Sequence, residues 1–188
     1  TKSAMMIFSK LAVIIIIVDV WIKACFNIAG GSIYALYKDI FTIFLIALTV
    51  GFVVTNLDES LKFYSKILGL KIYRRYTENG DFIDSLTGME NVSLEWVKLI
   101  IPSGGLIELL QYHTHPQVNK SLNQGLPSNR LGCSHAALTV SDLSTLYVKL
   151  TEAGYTCKSK PLIAPGGKAK ILYCHDPDGA ILELIEDL

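Results

Sequence analysis

The chain repeats itself, and that constrains its fold more than any other feature. Thr49-Val-Gly-Phe-Val-Val-Thr-Asn-Leu57 can be laid over His135-Ala-Ala-Leu-Thr-Val-Ser-Asp-Leu143. Each is a short β-rich run, then Thr or Ser, then Asn or Asp, then Leu, and an amphipathic helix is expected after each. In the first copy Asn56 is the expected N-cap, with Glu59 at the capping-box position. Leu57, Leu61, Tyr64 and Leu68 form one apolar stripe, and Gly69 ends the helix. In the second copy Asp142 caps, Leu143, Leu146, Tyr147 and Leu150 form the stripe, and Gly154 stops it.

Further strand-like runs follow in each copy. The first gives Lys71–Tyr76, Leu94–Ile101 and Leu106–Tyr112, with a turn at Pro102–Gly105. The second gives Tyr155–Lys160, Lys170–Cys174 and Ala180–Glu186, with a turn at Asp176-Pro-Asp-Gly179. Each copy therefore reads β-α-β-β-β. The expected layout is an α+β domain over 49–188, made of modules 49–112 and 132–188. Residues 113–131, rich in Pro, Asn, Gln and Ser, join them.

Residues 1–48 stand apart as an apolar N-terminal extension. Leu11–Val18 and Ile40–Leu48 are each too short to cross a bilayer, which takes about 20 residues. Asp19 and Lys23 interrupt the first run. A targeting leader, a membrane anchor and helices packed on the domain are the three readings of this segment. The setting expected for the domain is cytoplasmic, with membrane contact only through 1–48.

Of 188 residues, 17 are Lys or Arg and 17 are Asp or Glu. That balance gives no long-range attraction for nucleic acid. Hydrophobic residues make up 51% and charged residues 18%, which argues against intrinsic disorder. No Cys-x-x-Cys pair exists among Cys25, Cys133, Cys157 and Cys174, and they read as reduced, mostly buried thiols. A P-loop, a dinucleotide fingerprint and a nucleophilic triad are all missing.

Alternation along the strands sorts the side chains by face. Val50, Phe52 and Val54 form the face a helix should cover. Thr49, Gly51, Val53 and Thr55 leave the other face small. Cys133, His135, Ala137 and Thr139 share the matching face of the second copy. Glu108 shares a face with Leu106, Leu110 and Tyr112, and Glu183 with Ile181 and Ile185. A carboxylate on a buried face is costly unless it is paired or binds a metal. Modules packed about a pseudo-twofold axis would bring Thr49, Glu108, His135 and Glu183 together. An imidazole with two carboxylates suits Mn, Fe, Ni, Zn or Mg. The competing reading puts both glutamates on the solvated face of an open antiparallel sheet. His113 and His115 read as exposed linker residues, and His175 as a turn residue.

The layout resembles the vicinal oxygen chelate superfamily, which includes glyoxalase I, methylmalonyl-CoA epimerase, extradiol dioxygenases and bleomycin-binding proteins. The resemblance covers about 49–188. It rests on Val50-Gly-Phe-Val-Val-Thr-Asn-Leu-Asp-Glu-Ser-Leu-Lys-Phe-Tyr64, Leu68-Gly-Leu70, Ser134-His-Ala-Ala-Leu-Thr-Val140 and His175-Asp-Pro-Asp-Gly-Ala-Ile-Leu-Glu-Leu184. It implies two βαβββ modules forming a cup-shaped mixed sheet, the glyoxalase/bleomycin resistance fold, with a divalent metal on the concave face. It implies Glu108, His135 and Glu183 as metal ligands, and Glu108 or Glu183 as the proton-moving base. The first-strand position commonly held by His is Thr49 here. An arginine that helps some members bind glutathione has Val53 as its nearest counterpart, which weighs against glutathione as cosubstrate. Only His135 fits the two-His site of an extradiol dioxygenase.

Two functions follow as expectations. One is a metal-dependent lyase, isomerase or epimerase acting on a small oxygenated substrate, with a homodimer implied by the resemblance. The other is a metal-free binding protein of the bleomycin-resistance type, which the loss of an imidazole at Thr49 favours. A membrane-tethered accessory protein is compatible with either.

Overall fold

Asn56 begins the first helix as its sequence position demands. Its Oδ1 accepts hydrogen bonds from the backbone N–H of Asp58 (3.0 Å) and Glu59 (3.1 Å), satisfying two donors that the first helical turn leaves open. The reciprocal half of the capping box does not form. The Glu59 carboxylate turns to Lys62 instead, at 2.6 Å. The computed structural model describes residues 48–116 and 125–188. Expectations for residues 1–47 lie outside them, and Ala47–Leu188 forms one compact unit.

The elements run β1 (Thr49–Val53), α1 (Leu57–Leu61), β2 (Lys71–Asn79), α2 (Asp81–Thr87), β3 (Ser93–Ile100) and β4 (Leu106–Tyr112). Then come β5 (His135–Thr139), α3 (Leu143–Glu152), β6 (Leu162–Ile163), β7 (Ala169–His175) and β8 (Ile181–Asp187). α1 widens into a π-helical stretch, Lys62–Ile67, and Leu68 N–H closes it onto the Phe63 carbonyl at 3.0 Å. Gly69 then takes φ +76°, the left-handed turn that stops the helix. In α3, Asp142 Oδ1 accepts from Thr145 N–H at 2.9 Å.

Two four-stranded sheets result, in the orders β1-β4-β3-β2 and β5-β8-β7-β6. In each, the first strand lies parallel beside the last. Their registers correspond: Gly51 sits beside Glu108 in the first sheet, and Ala137 beside Glu183 in the second. The ends of both helices are also held alike. Leu57 N–H donates to Gln111 Oε1 (2.8 Å) in β4, and Leu143 N–H donates to Glu186 Oε2 (2.9 Å) in β8. The Lys170 ammonium, then the Leu143 N–H, hold the Glu186 carboxyl below the usual carboxylate range.

One core serves both modules. Leu57, Phe63, Tyr64, Val97, Leu99 and Leu109 pack in the same cluster as Leu143, Leu150, Leu172, Cys174, Leu182 and Leu184. Phe63 stacks edge-on against both Tyr64 and Tyr155. A smaller cluster of Ile83, Val92 and Leu94 lies beneath α2.

Two expectations are corrected. Tyr155–Lys160 does not form a strand; it touches β7 through a single bridge, Cys157 with Cys174, and β6 begins only at Leu162. The second correction is α2, which was not expected. It is seven residues long and buries only Ile83, so it shows no apolar stripe.

Candidate functional site at the open sheet faces

β4 and β8 each turn one face to the core and one away from it. Ile107 and Leu109 are buried while Glu108 is only partly covered; Leu182 and Leu184 are buried while Glu183 is partly covered. Both glutamates thus stand on the sheet faces opposite the helices, as alternation requires.

Their partners differ. Glu183 Oε2 lies 3.2 Å from His135 Nε2, with side chains 20% and 33% exposed. The other ring nitrogen, Nδ1, is 2.9 Å from Ser134 Oγ. Tyr173 lies against the imidazole, with ring centroids 5.3 Å apart. The imidazole is therefore held on three sides, and Glu183 is positioned to fix its orientation. Glu108 lies 3.3 Å from Lys98 Nζ, a contact set by the β3–β4 register. Lys98 in turn lies over the Trp96 ring, 4.9 Å from its centroid. Thr49 pairs with Leu106 in the ladder and is exposed.

Within one chain these residues do not converge. Among the described residues no three His, Cys, Asp or Glu side chains gather as a metal-binding group. The expected set of Glu108, His135 and Glu183 separates into a His135–Glu183 pair on one sheet and a Glu108–Lys98 pair on the other. The modules share one core, built from residues on their helix-bearing faces. A catalytic divalent site commonly has three protein ligands and an open position. The described residues of one chain bring two donors together here, and that pair does not fit one.

A cavity of about 590 Å³ opens beside His135. It is lined by residues 50–55 of β1 and the turn after it, by Tyr112 and Pro116, by Leu126, Arg130, Cys133 and Ser134, and by Asp178, Ala180 and Ile181. The walls are mostly apolar with a few polar groups, the pattern of small-molecule sites. Asp178 ties the modules together at this cavity. Its carboxylate accepts from Thr55 N–H at 3.2 Å and from Thr55 Oγ1 at 2.5 Å. Arg130, Ser134 and Asp178 were not singled out from sequence, and Asp178 read only as part of a turn. Cys133 does line the cavity and is exposed.

The other histidines have other work. His113 Nε2 lies 3.1 Å from Glu95, whose other oxygen accepts from Arg75 Nε at 2.6 Å. The Arg75 guanidinium, helped by His113, holds the Glu95 carboxyl below the usual carboxylate range. His115 Nδ1 meets Thr114 Oγ1 at 3.0 Å. His175 is not the turn residue expected. It ends β7, is 6% exposed, and its Nε2 has no hydrogen-bond partner among the described residues. Gly125 lies directly on its ring: a Cβ there would meet His175 Nδ1 at 2.0 Å. Leu126 N–H donates to the Gly179 carbonyl at 3.0 Å, and Lys158 Nζ donates to the Leu126 carbonyl at 3.1 Å. Burial, reinforced by Lys158, lowers the His175 pKa and keeps the ring neutral.

With sheet order, register and cavity in view, the chain belongs to the Glyoxalase/Bleomycin resistance protein/Dioxygenase superfamily, whose family model matches residues 46–184. It is 29% identical over 140 residues to the lactoylglutathione lyase of Escherichia coli O157:H7, covering 71% of this chain and 87% of that protein. It is 30% identical over 136 residues to a probable lactoylglutathione lyase of Synechocystis sp., covering 71% and 88%. The solved structure of a glyoxalase family protein from Bacillus cereus superposes with a TM-score of 0.69 at 25% identity, covering 77% of this chain and 95% of that one. Glyoxalase I from Zea mays shares the fold, with a TM-score of 0.53 at 20% identity, covering 76% of this chain and 47% of that one. Among the described residues no helix is long and apolar enough to cross a membrane.

Proposed function

We propose that the chain is a glyoxalase-like lyase or isomerase that acts on a small oxygenated molecule, with His135 and Glu183 as its chemical centre. The observation that carries this reading is the 3.2 Å contact between His135 Nε2 and Glu183 Oε2 beside the cavity. The names of the relatives support a lyase at the level of the family. The cavity would hold the substrate through its apolar walls, and Arg130 and Ser134 would orient its oxygens. Glu183, acting through or beside His135, would move a proton on the substrate carbon next to a carbonyl. A cytoplasmic setting goes with the free thiols at Cys133, Cys157 and Cys174.

The family chemistry calls for a divalent ion such as Mn, Fe, Ni, Zn or Mg, and the described residues of one chain do not bring a third ligand to the pair. We infer that a homodimer completes the set by bringing Glu108 of a second copy to the His135–Glu183 pair. Thr49 would then leave the position beside it open to water or substrate.

The second reading is a metal-free binding protein of the bleomycin-resistance type. It draws on the two-donor site and on the ready-made apolar cavity.

Metal retention separates the two. The full chain is stripped with chelator, offered each ion separately, and its retained metal and its mass in solution are measured together. Retention near one ion per chain by a dimer, lost in both Glu183→Gln and Glu108→Gln, supports the enzyme. It also justifies assays with 2-oxoaldehydes, acyl-CoA epimers and catechols. Failure of the native chain to retain any ion, with retention gained by Thr49→His, favours the binding protein.

A further inference from the structure

Cys157 and Cys174 face each other across an antiparallel bridge. The backbone bonds on either side fix how. Lys158 N–H donates to the Tyr173 carbonyl at 2.8 Å, and His175 N–H donates to the Thr156 carbonyl at 2.9 Å. Those bonds flank the two cysteines and do not join them, so the cysteines form a non-hydrogen-bonded pair. In such a pair the Cα atoms sit about 4.5 Å apart and the side chains leave the same face. Disulfides span Cα separations of about 4.4–6.8 Å. Burial agrees with a common face: Cys174 is fully buried in the shared core, and Cys157 packs against that core while partly exposed.

The bridge is also the sole pairing of this segment with β7, since β6 begins beyond it. It carries Lys158, whose ammonium holds the Leu126 carbonyl. Leu126 lines the cavity. A covalent link here would therefore fix one wall of the cavity through a segment that two backbone bonds join to β7.

We propose that Cys157 and Cys174 are a dithiol–disulfide pair that closes on exposure to a low-molecular-weight disulfide and clamps the segment around Lys158 onto β7. The Cys157 thiolate, the less buried partner, attacks one sulfur of the small disulfide. That S–S bond breaks, and one small thiolate leaves and takes up a proton. The Cys174 thiol then loses its proton and attacks the Cys157 sulfur, expelling the second small thiol. Two protein thiols are oxidised by two electrons, and the small disulfide is reduced to two thiols. Burial raises both protein thiols, Cys174 to about 12 with Cys157 as the second cause. Closure is accordingly slow and speeds up as pH rises. Cα atoms near the short end of the disulfide range leave a link that is readily reduced.

The proposal is independent of the metal reading, and its test uses the native full chain. The folded protein is incubated with oxidised glutathione across a range of pH, alkylated, digested and mapped by mass. The expected result is a peptide pair joined through Cys157 and Cys174, lighter by two hydrogens and restored by reductant. Melting temperature should rise on the order of 5 °C on closure. A Cys25→Ser/Cys133→Ser chain should give the same link, and Cys157→Ser should abolish it. Because Cys157 is partly exposed, that variant keeps the test open even where Cys174→Ser fails to fold. A glutathione adduct that persists on Cys157 without resolving, a link to Cys25 or Cys133 in place of Cys174, or two thiols left free would overturn it.

Discussion

The Tyr64 hydroxyl donates a hydrogen bond to Asp176 Oδ2 at 2.9 Å, both groups buried, across 112 positions of sequence. It joins the π-helical stretch of the first module to the last turn of the second. Asp176 Oδ1 also accepts from the backbone of Asp178 (3.0 Å) and Ala180 (2.8 Å). Burial is the largest influence on this carboxyl and outweighs those donors, pushing it from 3.8 to about 6. Burial, with the nearby Asp176 charge behind it, also raises the Tyr64 hydroxyl well above its usual range.

The sign of the resulting pH dependence follows from linkage. A carboxyl whose folded pKa is raised binds its proton more tightly when folded. Its contribution to stability is complete below about pH 4 and is lost as pH rises through about 6. Asp176→Asn cannot titrate, so its stability relative to the native chain should rise across that window, by up to about 3 kcal/mol. Thermal melts at successive pH values measure this, and a constant difference between the two proteins would refute it. Tyr64→Phe should cost about 1–3 kcal/mol, because it removes one donor from a buried acceptor.

Gln111 holds the first N–H of α1 from β4. Gln111→Ala leaves that donor without its acceptor and should cost about 1 kcal/mol. Gln111→Glu keeps the acceptor and should recover most of the loss. Chemical denaturation of the three proteins decides the matter, and equal loss in both variants would show that the hydrogen bond is not the cause.

Gly125 should resist any side chain. At φ +70° it already favours glycine, and a Cβ would meet the His175 ring at 2.0 Å. Gly125→Ala should release Leu126 from the Gly179 carbonyl and speed its amide exchange. In a His175→Ala background the clash disappears and only the backbone strain remains. The melting temperatures of the four proteins in this cycle should therefore be non-additive; additivity would show that His175 does not support the Gly125–Leu126 strap.

Much of this was legible in the sequence, and the failures have physical causes. Asn56 and Asp142 announce their helices because capping is local. The apolar stripe through Leu57, Leu61, Tyr64 and Leu68 reports its own burial. Gln111 and Glu186 gave no such signal, because they cap helices from a strand far along the chain. The α2 helix was hidden since Phe82 and Leu86 are 67% and 69% exposed and leave no face to recognise. Strand alternation correctly put Glu108, His135 and Glu183 on the faces turned from the helices. It carries no information on which sheet faces which, and so the three were expected to meet within one chain. His175 looked like a turn residue because it precedes Asp-Pro-Asp-Gly; Gly125 lies on its ring, a contact no local pattern reveals.

In both sheets the strand made first is completed by the strand made last, β1 by β4 and β5 by β8. A ribosome delivers the chain from its N-terminus, so β1 must wait for almost the whole first module to emerge before it gains a neighbour. β5 waits in the same way for Ile181–Asp187 to emerge from the exit tunnel. The second sheet can therefore close only after β8 has left the tunnel. A nascent chain stalled at Ala180 should expose β5 to protease, while β1, already joined to β4, stays protected.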